Sequence, residues 1–208
     1  MKKILLGLFA SVLCAAAGAE ERGALMEFLH GTYNGGGLGH TTISNYCQAG
    51  AYTCNDQRDV SFKVYGGLRM TDYLGTEIGF MSFGRIRALS HPNGATGGIH
   101  ERSTRTNGFV FNVAPSVRID PNISVIGRVG LARWHVEGND GNTSISESKT
   151  APYLGAALNY KIHDFVPDLF MPALKNLAVE LAWDTTRTEF LNTDHWFSMV
   201  SIGASLEF

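Results

Sequence analysis

Charged residues of both signs stand within stretches of alternating apolar residues, each on the parity opposite to the apolar side chains: Lys63, Arg69, Glu77, Arg128, Lys161 and Glu180. Successive side chains of a β-strand point to opposite faces, so these charges share one face of a predicted sheet. A charge that leaves water is costly unless it is paired. We therefore expect Glu77 and Glu180 to bind Arg128 and Lys63 in one buried network, which either braces the fold or lines a narrow path for ions.

A second group has the residue types of a nucleophilic catalyst, since Asp194 and His195 lie close to Ser198. In such a group the histidine takes the serine proton and the acid orients the histidine. Residues three apart on a strand point to opposite faces, so His195 and Ser198 cannot easily share a proton. The chain also has no Gly-x-Ser-x-Gly elbow. We therefore expect no catalytic residues and no enzyme.

The seven histidines show no spacing that is typical of a metal site. His91 and His100 share one predicted loop, where solvated histidines are the more frequent arrangement. The sequence therefore predicts neither a metal ion nor a cofactor.

Eight alternating segments must position these groups, and they are residues 33–42, 61–70, 74–85, 108–119, 123–135, 151–162, 176–187 and 195–208. Each has a side-chain period of two, which predicts a β-strand. Val, Leu, Ile and Phe dominate one parity, whereas Gly, Ala, Ser and charged residues dominate the other. The glycine-rich first segment has the weakest pattern.

The last of these segments indicates a membrane barrel, because its apolar parity continues to Phe208. Lipid offers backbone groups no water, so a spanning sheet must close and leave no free edge. Four aromatic residues fall near the ends of predicted strands, where an interfacial belt of aromatic residues is expected. They are Trp183, Tyr160, Trp196 and Phe208. A soluble sandwich or lipocalin-like barrel would also alternate. The small residues opposite the apolar parity favour an all-β fold, an eight-stranded antiparallel transmembrane β-barrel of the outer membrane.

The connections alternate in length, as in such barrels. Residues 71–73 and 120–122 are turn-like, whereas residues 43–59, 88–105, 137–149 and 188–194 are predicted to be long loops rich in Gly, Asn, Ser, Thr and charge. Residues 163–175 break this alternation, because they carry apolar residues and two prolines where a short turn is expected. We expect either an insert against the membrane interface or simply a long turn.

The N-terminus has the pattern of a secretory signal peptide: a basic start, an apolar stretch and the small residues Ala17, Gly18 and Ala19. We expect residues 1–19 to be the signal peptide, residues 20–31 a periplasmic lead-in and residues 32–208 the barrel. Export would leave Cys47 and Cys54 in an oxidising compartment, which favours an intraloop disulfide over two free thiols. The formal net charge of −2 gives no indication of nucleic-acid binding.

Several short motifs resemble a known family in their order along the chain. Phe-Lys-Val-Tyr-Gly-Gly at residues 62–67 and Gly-Thr-Glu-Ile-Gly-Phe at residues 75–80 resemble strands two and three of the outer membrane protein A barrel. Residues 127–130, 152–160 and 179–183 resemble strands five to seven of that barrel, and residues 201–208 resemble its last strand. The chain is therefore identified as a member of the outer membrane protein A-like barrel family.

The chain also differs from the family in two respects. Larger family members continue into a domain that grips peptidoglycan, and this chain stops at Phe208, so we do not expect that anchoring. The family barrel holds a gate between a glutamate on strand seven and an arginine on strand eight. Glu180 matches the glutamate, whereas the position of the arginine aligns near Asp194, so that gate is not expected.

The resemblance implies a structural or surface-interaction role, with loops that could bind a host-surface ligand. The alternative is a small ion or solute channel, and the remote alternative is an enzyme that modifies lipid A. Arg102 and Arg105, with Arg85 and Arg87, are placed to meet phosphates of lipopolysaccharide. The other expected partners are outer-membrane lipid and the barrel-assembly machinery.

The end of the last strand is the predicted signal for that machinery, and it consists of Ala204, Leu206 and Phe208.

Overall fold

The computed structural model describes residues 31–44, 52–56, 58–90, 100–140, 144–162, 176–190 and 193–208. The strands of this part are β1 Thr32–Ser44, β2 Tyr52–Asp56, β3 Arg58–Thr71, β4 Leu74–Ser90, β5 His100–Asp120, β6 Ile123–Asp140, β7 Ser144–Lys161, β8 Leu177–Phe190 and β9 Thr193–Glu207. Among the residues described, no helix has the length and apolar character needed to span a membrane.

Eight of the described strands close into an antiparallel barrel, in the order β1, β3, β4, β5, β6, β7, β8 and β9. The ring closes where β1 pairs with β9, so that Tyr33 lies opposite Glu207 and Ser44 opposite Trp196. The short strand β2 pairs with the outer end of β4. The closed ring leaves no spanning edge exposed to lipid. This confirms the predicted fold class.

The tight turns and the C-terminal strand end lie at the same end of the barrel. Asp72 and Tyr73 connect β3 to β4, and Pro121 and Asn122 connect β5 to β6. The Phe208 amide donates to the Thr32 carbonyl across 2.9 Å at this end. Short turns mark the periplasmic end of an outer-membrane barrel, so the opposite end is extracellular.

The outward face carries an apolar band between the two ends. In β5 this band runs from Phe109, which is 65% exposed, to Ile119, which is 68% exposed. The next outward residues on the extracellular side are polar, namely Asn107 in β5, Arg133 in β6 and Thr150 in β7. A tilted strand needs about 9–11 residues to cross the hydrocarbon core. The 21 residues of β5 therefore extend well beyond it.

The extracellular extensions form a sheet rather than loops, and we call residues 85–90, 100–107, 133–140 and 144–150 the crown. The predicted loop at residues 137–149 is wrong, since β6 continues to Asp140, β7 begins at Ser144 and Glu137 pairs with Ser146. Beyond Val136 the described side chains of this hairpin are exposed or half-buried on both faces, so its sequence lacks the apolar alternation that identified the other strands.

The other predicted loops are also shorter than expected, because strands occupy part of each of them. The described strands β4 and β5 reach Ser90 and His100, and β8 and β9 reach Phe190 and Thr193. Strands β2 and β3 also occupy much of residues 43–59. Because β8 extends so far, Trp183 lies in the middle of its strand, and the prediction that it lies near a strand end is wrong.

A bulge separates the wall of the barrel from the crown in β4. Ser82 lies opposite Asn107 and Arg85 opposite Arg105, so two residues of β4 face one residue of β5. Gly84 takes a φ of 78°, in the left-handed region that glycine adopts without strain. The bulge lets Phe83 point into the lumen while Arg85 is exposed on the outer face.

Several predictions lie outside the described residues and stay predictions. They are the signal peptide at residues 1–19, residues 20–30 of the lead-in, the partner Cys47 of the proposed disulfide, and the insert at residues 163–175. The side chains of Cys54, Arg87 and Arg102 lie outside the described part as well.

Candidate functional site

The lumen is divided into three successive regions. On the extracellular side lie the buried apolar residues Ile43, Phe83, Trp134, Phe197 and Met199, which we call the plug. Below the plug lies a layer of buried charges. The periplasmic end is a small polar cavity, which we call the vestibule. A barrel of eight strands has an interior that side chains can fill, and here they do so in layers.

The charge layer is built around Arg128 on β6. Its Nε lies 2.7 Å from Oε2 of Glu77 on β4, and its Nη2 lies 2.8 Å from Oε2 of Glu180 on β8. The Nζ of Lys63 on β3 lies 2.8 Å from Oε1 of Glu180 and 3.0 Å from Oδ2 of Asp184. All five residues are buried. The structure thus joins four strands through one continuous chain of ion pairs.

Each carboxylate of this layer also accepts a hydrogen bond from a tyrosine. Tyr33 donates to Glu77 across 3.0 Å, and Tyr65 donates to Glu180 across 2.6 Å. Tyr153 donates to Asp184. A buried carboxylate needs several donors to replace its lost hydration, and a cation together with a phenol supplies them.

Glycines in the opposing strands make room for two of these tyrosines. A Cβ at Gly35 would collide with the ring of Tyr65, and a Cβ at Gly67 would collide with the ring of Tyr33. The guanidinium of Arg128 lies 4.9 Å from the centroid of the Tyr65 ring, in the range of a cation–π contact. The glycine-rich pattern that made β1 the weakest predicted strand therefore serves the packing of the lumen.

The structure brings together Lys63, Glu77, Arg128 and Glu180, and it separates Lys161 from them. Lys161 lies at the periplasmic end of β7, where its Nζ is 3.4 Å from Oε2 of Glu207. Arg69 joins the same carboxylate across 2.9 Å. These three side chains line the vestibule, a cavity of about 40 Å³.

Sequence reasoning left Asp184 and the three tyrosines out of the network. Asp184 has the same parity as Glu180 and Ala182, so its inward direction was readable from the sequence. Tyr65 shares the parity of Lys63 in the same way. Their partners were not readable, because strand register across the barrel decides which inward groups meet.

The aromatic rings of the plug pack directly against one another. Phe83 and Trp134 have ring centroids 4.9 Å apart, and the centroid of Phe197 lies 5.4 Å from that of Phe83. The Nε1 of Trp134 donates to the Thr186 hydroxyl across 3.0 Å, so the indole carries no unsatisfied donor. Phe83, Trp134 and Met199 are fully buried. Aromatic side chains thus close the extracellular half of the lumen.

The residues at the extracellular rim do not form a catalytic group. His195 is buried, whereas Ser198 lies on the other parity with its hydroxyl 3.1 Å from that of Thr185. The carboxylate of Asp194 lies 2.5 Å from Arg187, whose hydrogen bond holds the pKa of Asp194 below its usual range. In the part of the chain that the structure describes, no three His, Cys, Asp or Glu side chains are grouped to hold a metal.

Comparison with known families and structures fits this architecture. A family model described as the outer membrane protein beta-barrel domain matches residues 5–208. No curated protein matches the sequence. The chain is similar in fold to Neisserial surface protein A, with a TM-score of 0.55, 14% identity and coverage of 86% of this chain and 97% of that one.

Ail, the attachment invasion locus protein of Yersinia pestis, has a similar fold as well. Its TM-score is 0.51 at 15% identity, with coverage of 86% of this chain and 99% of that one. Ail has also been solved with the heparin analogue sucrose octasulfate, and that structure matches with a TM-score of 0.47 at 14% identity, covering 85% and 99% of the two chains.

Proposed function

Because the chain belongs to the family of outer membrane protein beta-barrel domains, and is thus an integral barrel of the outer membrane, we propose that it is a closed structural barrel whose crown serves as a surface for interaction. It contributes to envelope integrity through the rigid barrel, and it recognises other molecules through the crown. This role needs no chemistry in the lumen.

The filled lumen is the observation that carries the proposal. Arg128, Glu77 and Glu180 cross the lumen as one chain of ion pairs, and they are nearly inaccessible to solvent. The plug covers this layer on the extracellular side. The side chains of the charge layer come from four strands and keep one another in place. Moving any one of them would leave a buried charge without its partner.

The crown supports the surface role, since it presents polar side chains on rigid strands. On its outer face Arg105 lies opposite both Arg85 on β4 and Glu137 on β6. Strands lose less conformational entropy on binding than loops of the same length. Arg85 and Arg105 also stand just above the apolar band, which supports contact with the phosphates of lipopolysaccharide. A host-surface ligand would bind to the same outer face of the crown.

The end of β9 remains the proposed signal for the assembly machinery. Ala204 and Phe208 are exposed on the outer face, and Leu206 shares their parity. An outward apolar strand end is available to a partner before the ring closes, because β9 pairs with β1 only when the barrel is complete.

The crown is tested by shortening it without touching the barrel. Replacing residues 138–145 by Asn-Gly joins the paired residues Glu137 and Ser146 through a two-residue hairpin turn. In a strain that lacks the protein, wild type and shortened variant are expected to restore resistance to detergent equally. Only the wild type is expected to restore adherence to host cells.

Heat-modifiable migration in gels is the control for folding in that experiment. Full adherence of a strain carrying the shortened variant would contradict the surface role of the crown. Detergent sensitivity that the wild-type protein does not correct would contradict the structural role.

A channel is the second candidate, and the vestibule favours it. This polar cavity of about 40 Å³ opens the periplasmic half of the lumen to water. A path across the membrane would still need the charge layer and the plug to move. Conductance therefore separates this candidate from the closed barrel.

A further inference from the structure

A group of side chains in the crown has the composition of a catalytic triad. His135 on β6 lies directly opposite Ser148 on β7, and Glu137 follows His135 on the same face. The Nδ1 of His135 is 3.1 Å from the Ser148 hydroxyl, and its Nε2 is 3.4 Å from Oε1 of Glu137. A nucleophile within hydrogen-bond reach of a base, which an acid orients, is the arrangement of nucleophilic hydrolases.

We propose that Ser148, His135 and Glu137 form a hydrolytic site for carboxylic esters of anionic amphiphiles in the outer leaflet. The site goes beyond the structural role proposed above, and it revises the expectation that the chain is no enzyme. It is separate from the rim residues Asp194, His195 and Ser198, which the barrel holds on different faces.

The location of the group matches a substrate that is anchored in lipid. The last apolar outward row pairs Leu131 with Pro152, and the pair of His135 and Ser148 lies two outward rows above it. Four residues of a tilted strand rise by about 10 Å along the membrane normal. The group therefore stands in the headgroup layer. The side chains of His135 and Glu137 are 42% and 56% exposed, so a substrate can reach them.

Arg133 gives the site a preference for substrates with an anionic headgroup. It is exposed on the same face, one outward row below His135, and pairs with Thr150 across the strands. A long side chain in this position reaches its diagonal neighbours, which include Ser148. Its guanidinium suits a phosphate or carboxylate of the substrate headgroup.

The reaction follows from the hydrogen bonds. In the tautomer with its proton on Nε2, His135 accepts the proton of Ser148 through Nδ1, while Nε2 faces the Glu137 carboxylate at 3.4 Å and the Ser146 hydroxyl at 3.5 Å. The serine oxygen attacks the ester carbonyl, and the tetrahedral intermediate expels the alcohol, which takes the proton from His135. Water then attacks the acyl-serine, His135 takes a proton from it, and the carboxylic acid leaves as Ser148 regains its proton.

The sequence did not indicate this group, because its members lie on two different strands. His135 and Ser148 become neighbours only through the pairing of β6 with β7. The predicted loop at residues 137–149 concealed that pairing, since it placed Glu137 and Ser148 on loop residues without a common face.

The experiment uses the folded, heat-modifiable protein in neutral detergent micelles. The substrates are 4-nitrophenyl butyrate, micellar phosphatidylglycerol and micellar phosphatidylcholine, and a fluorophosphonate probe labels the nucleophile. We expect Ser148→Ala and His135→Gln to lower hydrolysis by at least about 100-fold, the usual contribution of a general base. We expect Ser144→Ala, an exposed serine of the same strand, to leave it unchanged.

Two further readouts separate catalysis from structure. Arg133→Gln should raise KM for phosphatidylglycerol, with little change for phosphatidylcholine and none in kcat for 4-nitrophenyl butyrate. Mass spectrometry should find the fluorophosphonate on Ser148. Absence of hydrolysis by the folded wild type, or labelling at Ser146 or Ser198 in place of Ser148, would overturn the proposal. Either result leaves the closed barrel and its surface role intact.

Discussion

The charge layer and the plug fill the same lumen by opposite means. The charge layer depends on specific partners, because each of Glu77, Glu180 and Asp184 is held by a cation and a tyrosine. The plug depends on packed volume and on the neutral hydrogen bond from Trp134 to Thr186, since the rings of Phe83, Trp134 and Phe197 pack without charge. The two regions are equally buried, and we therefore expect them to tolerate different kinds of substitution.

The difference follows from desolvation. A buried charge that loses its partner keeps the whole cost of leaving water, whereas a buried apolar side chain of altered shape loses only some contacts. We expect the charge layer to be sensitive to chemistry and the plug to be sensitive to size. We expect this contrast to appear in the free energy of unfolding.

The largest effect is expected from Arg128→Ala, which removes the cation between two buried carboxylates. Loss of one partner of a buried pair costs about 3–5 kcal/mol. Urea-induced unfolding in phospholipid vesicles, followed by tryptophan fluorescence, measures this loss. Arg118→Ala at an exposed position is the matched control, and it should change the stability by less than about 0.5 kcal/mol. Equal effects of the two variants would contradict the role of the charge layer.

A smaller loss is expected from Tyr33→Phe, which deletes the hydroxyl that donates to Glu77 and keeps the ring. A hydrogen bond to a charged group contributes about 1.5–3 kcal/mol. The same unfolding measurement checks this value. Tyr73→Phe is the control, because Tyr73 is 69% exposed. A Tyr33→Phe protein as stable as the control would show that the phenols are not needed by the carboxylates.

A still smaller loss is expected in the plug from Met199→Leu. Met199 is fully buried, and the two side chains have nearly the same volume. A volume-conserving exchange in a packed core costs less than about 1.5 kcal/mol. Should this variant lose more than Tyr33→Phe in the same vesicles, the contrast between the two regions would be reversed.

The smallest effect is expected at the rim, from Asp194→Asn. The hydrogen bond from Arg187 lowers the pKa of Asp194, so any contribution is present above the usual carboxyl range and is lost as the pH falls through the lowered pKa. Both side chains are about half exposed, and solvent and salt screen such a pair. Unfolding of the variant should match that of wild type at neutral and at acidic pH. A resolved difference at neutral pH alone would assign the pair a structural role.

Alternation alone predicted which face of each wall strand meets lipid. The outward positions of Phe109, Phe111 and Val117 follow from their shared parity in β5, and the family assignment and the outer-membrane location are confirmed. These features are local, because successive side chains of a strand alternate between the face toward lipid and the face toward the lumen.

Register and extramembrane strands could not be predicted in the same way. Asp184 has the inward parity, yet its pairing with Lys63 on β3 depends on how the strands between β3 and β8 are aligned, which are β1 and β9 on the shorter side of the ring. Lys161 has the inward parity too, and its depth along β7 places it with Glu207. Beyond Val136 the described side chains of the β6–β7 hairpin are exposed or half-buried on both faces, so no apolar pattern identifies this part of the crown.

The central claim is that the lumen is closed, and single-channel recording in planar bilayers tests it most directly. The sample is refolded mature protein that migrates as a heat-modifiable band. We predict no discrete openings, because the buried side chains of the plug and the charge layer fill the lumen above the vestibule. Reproducible openings that change on Glu180→Ala or Arg128→Ala would contradict the claim and make the charge layer a path for ions.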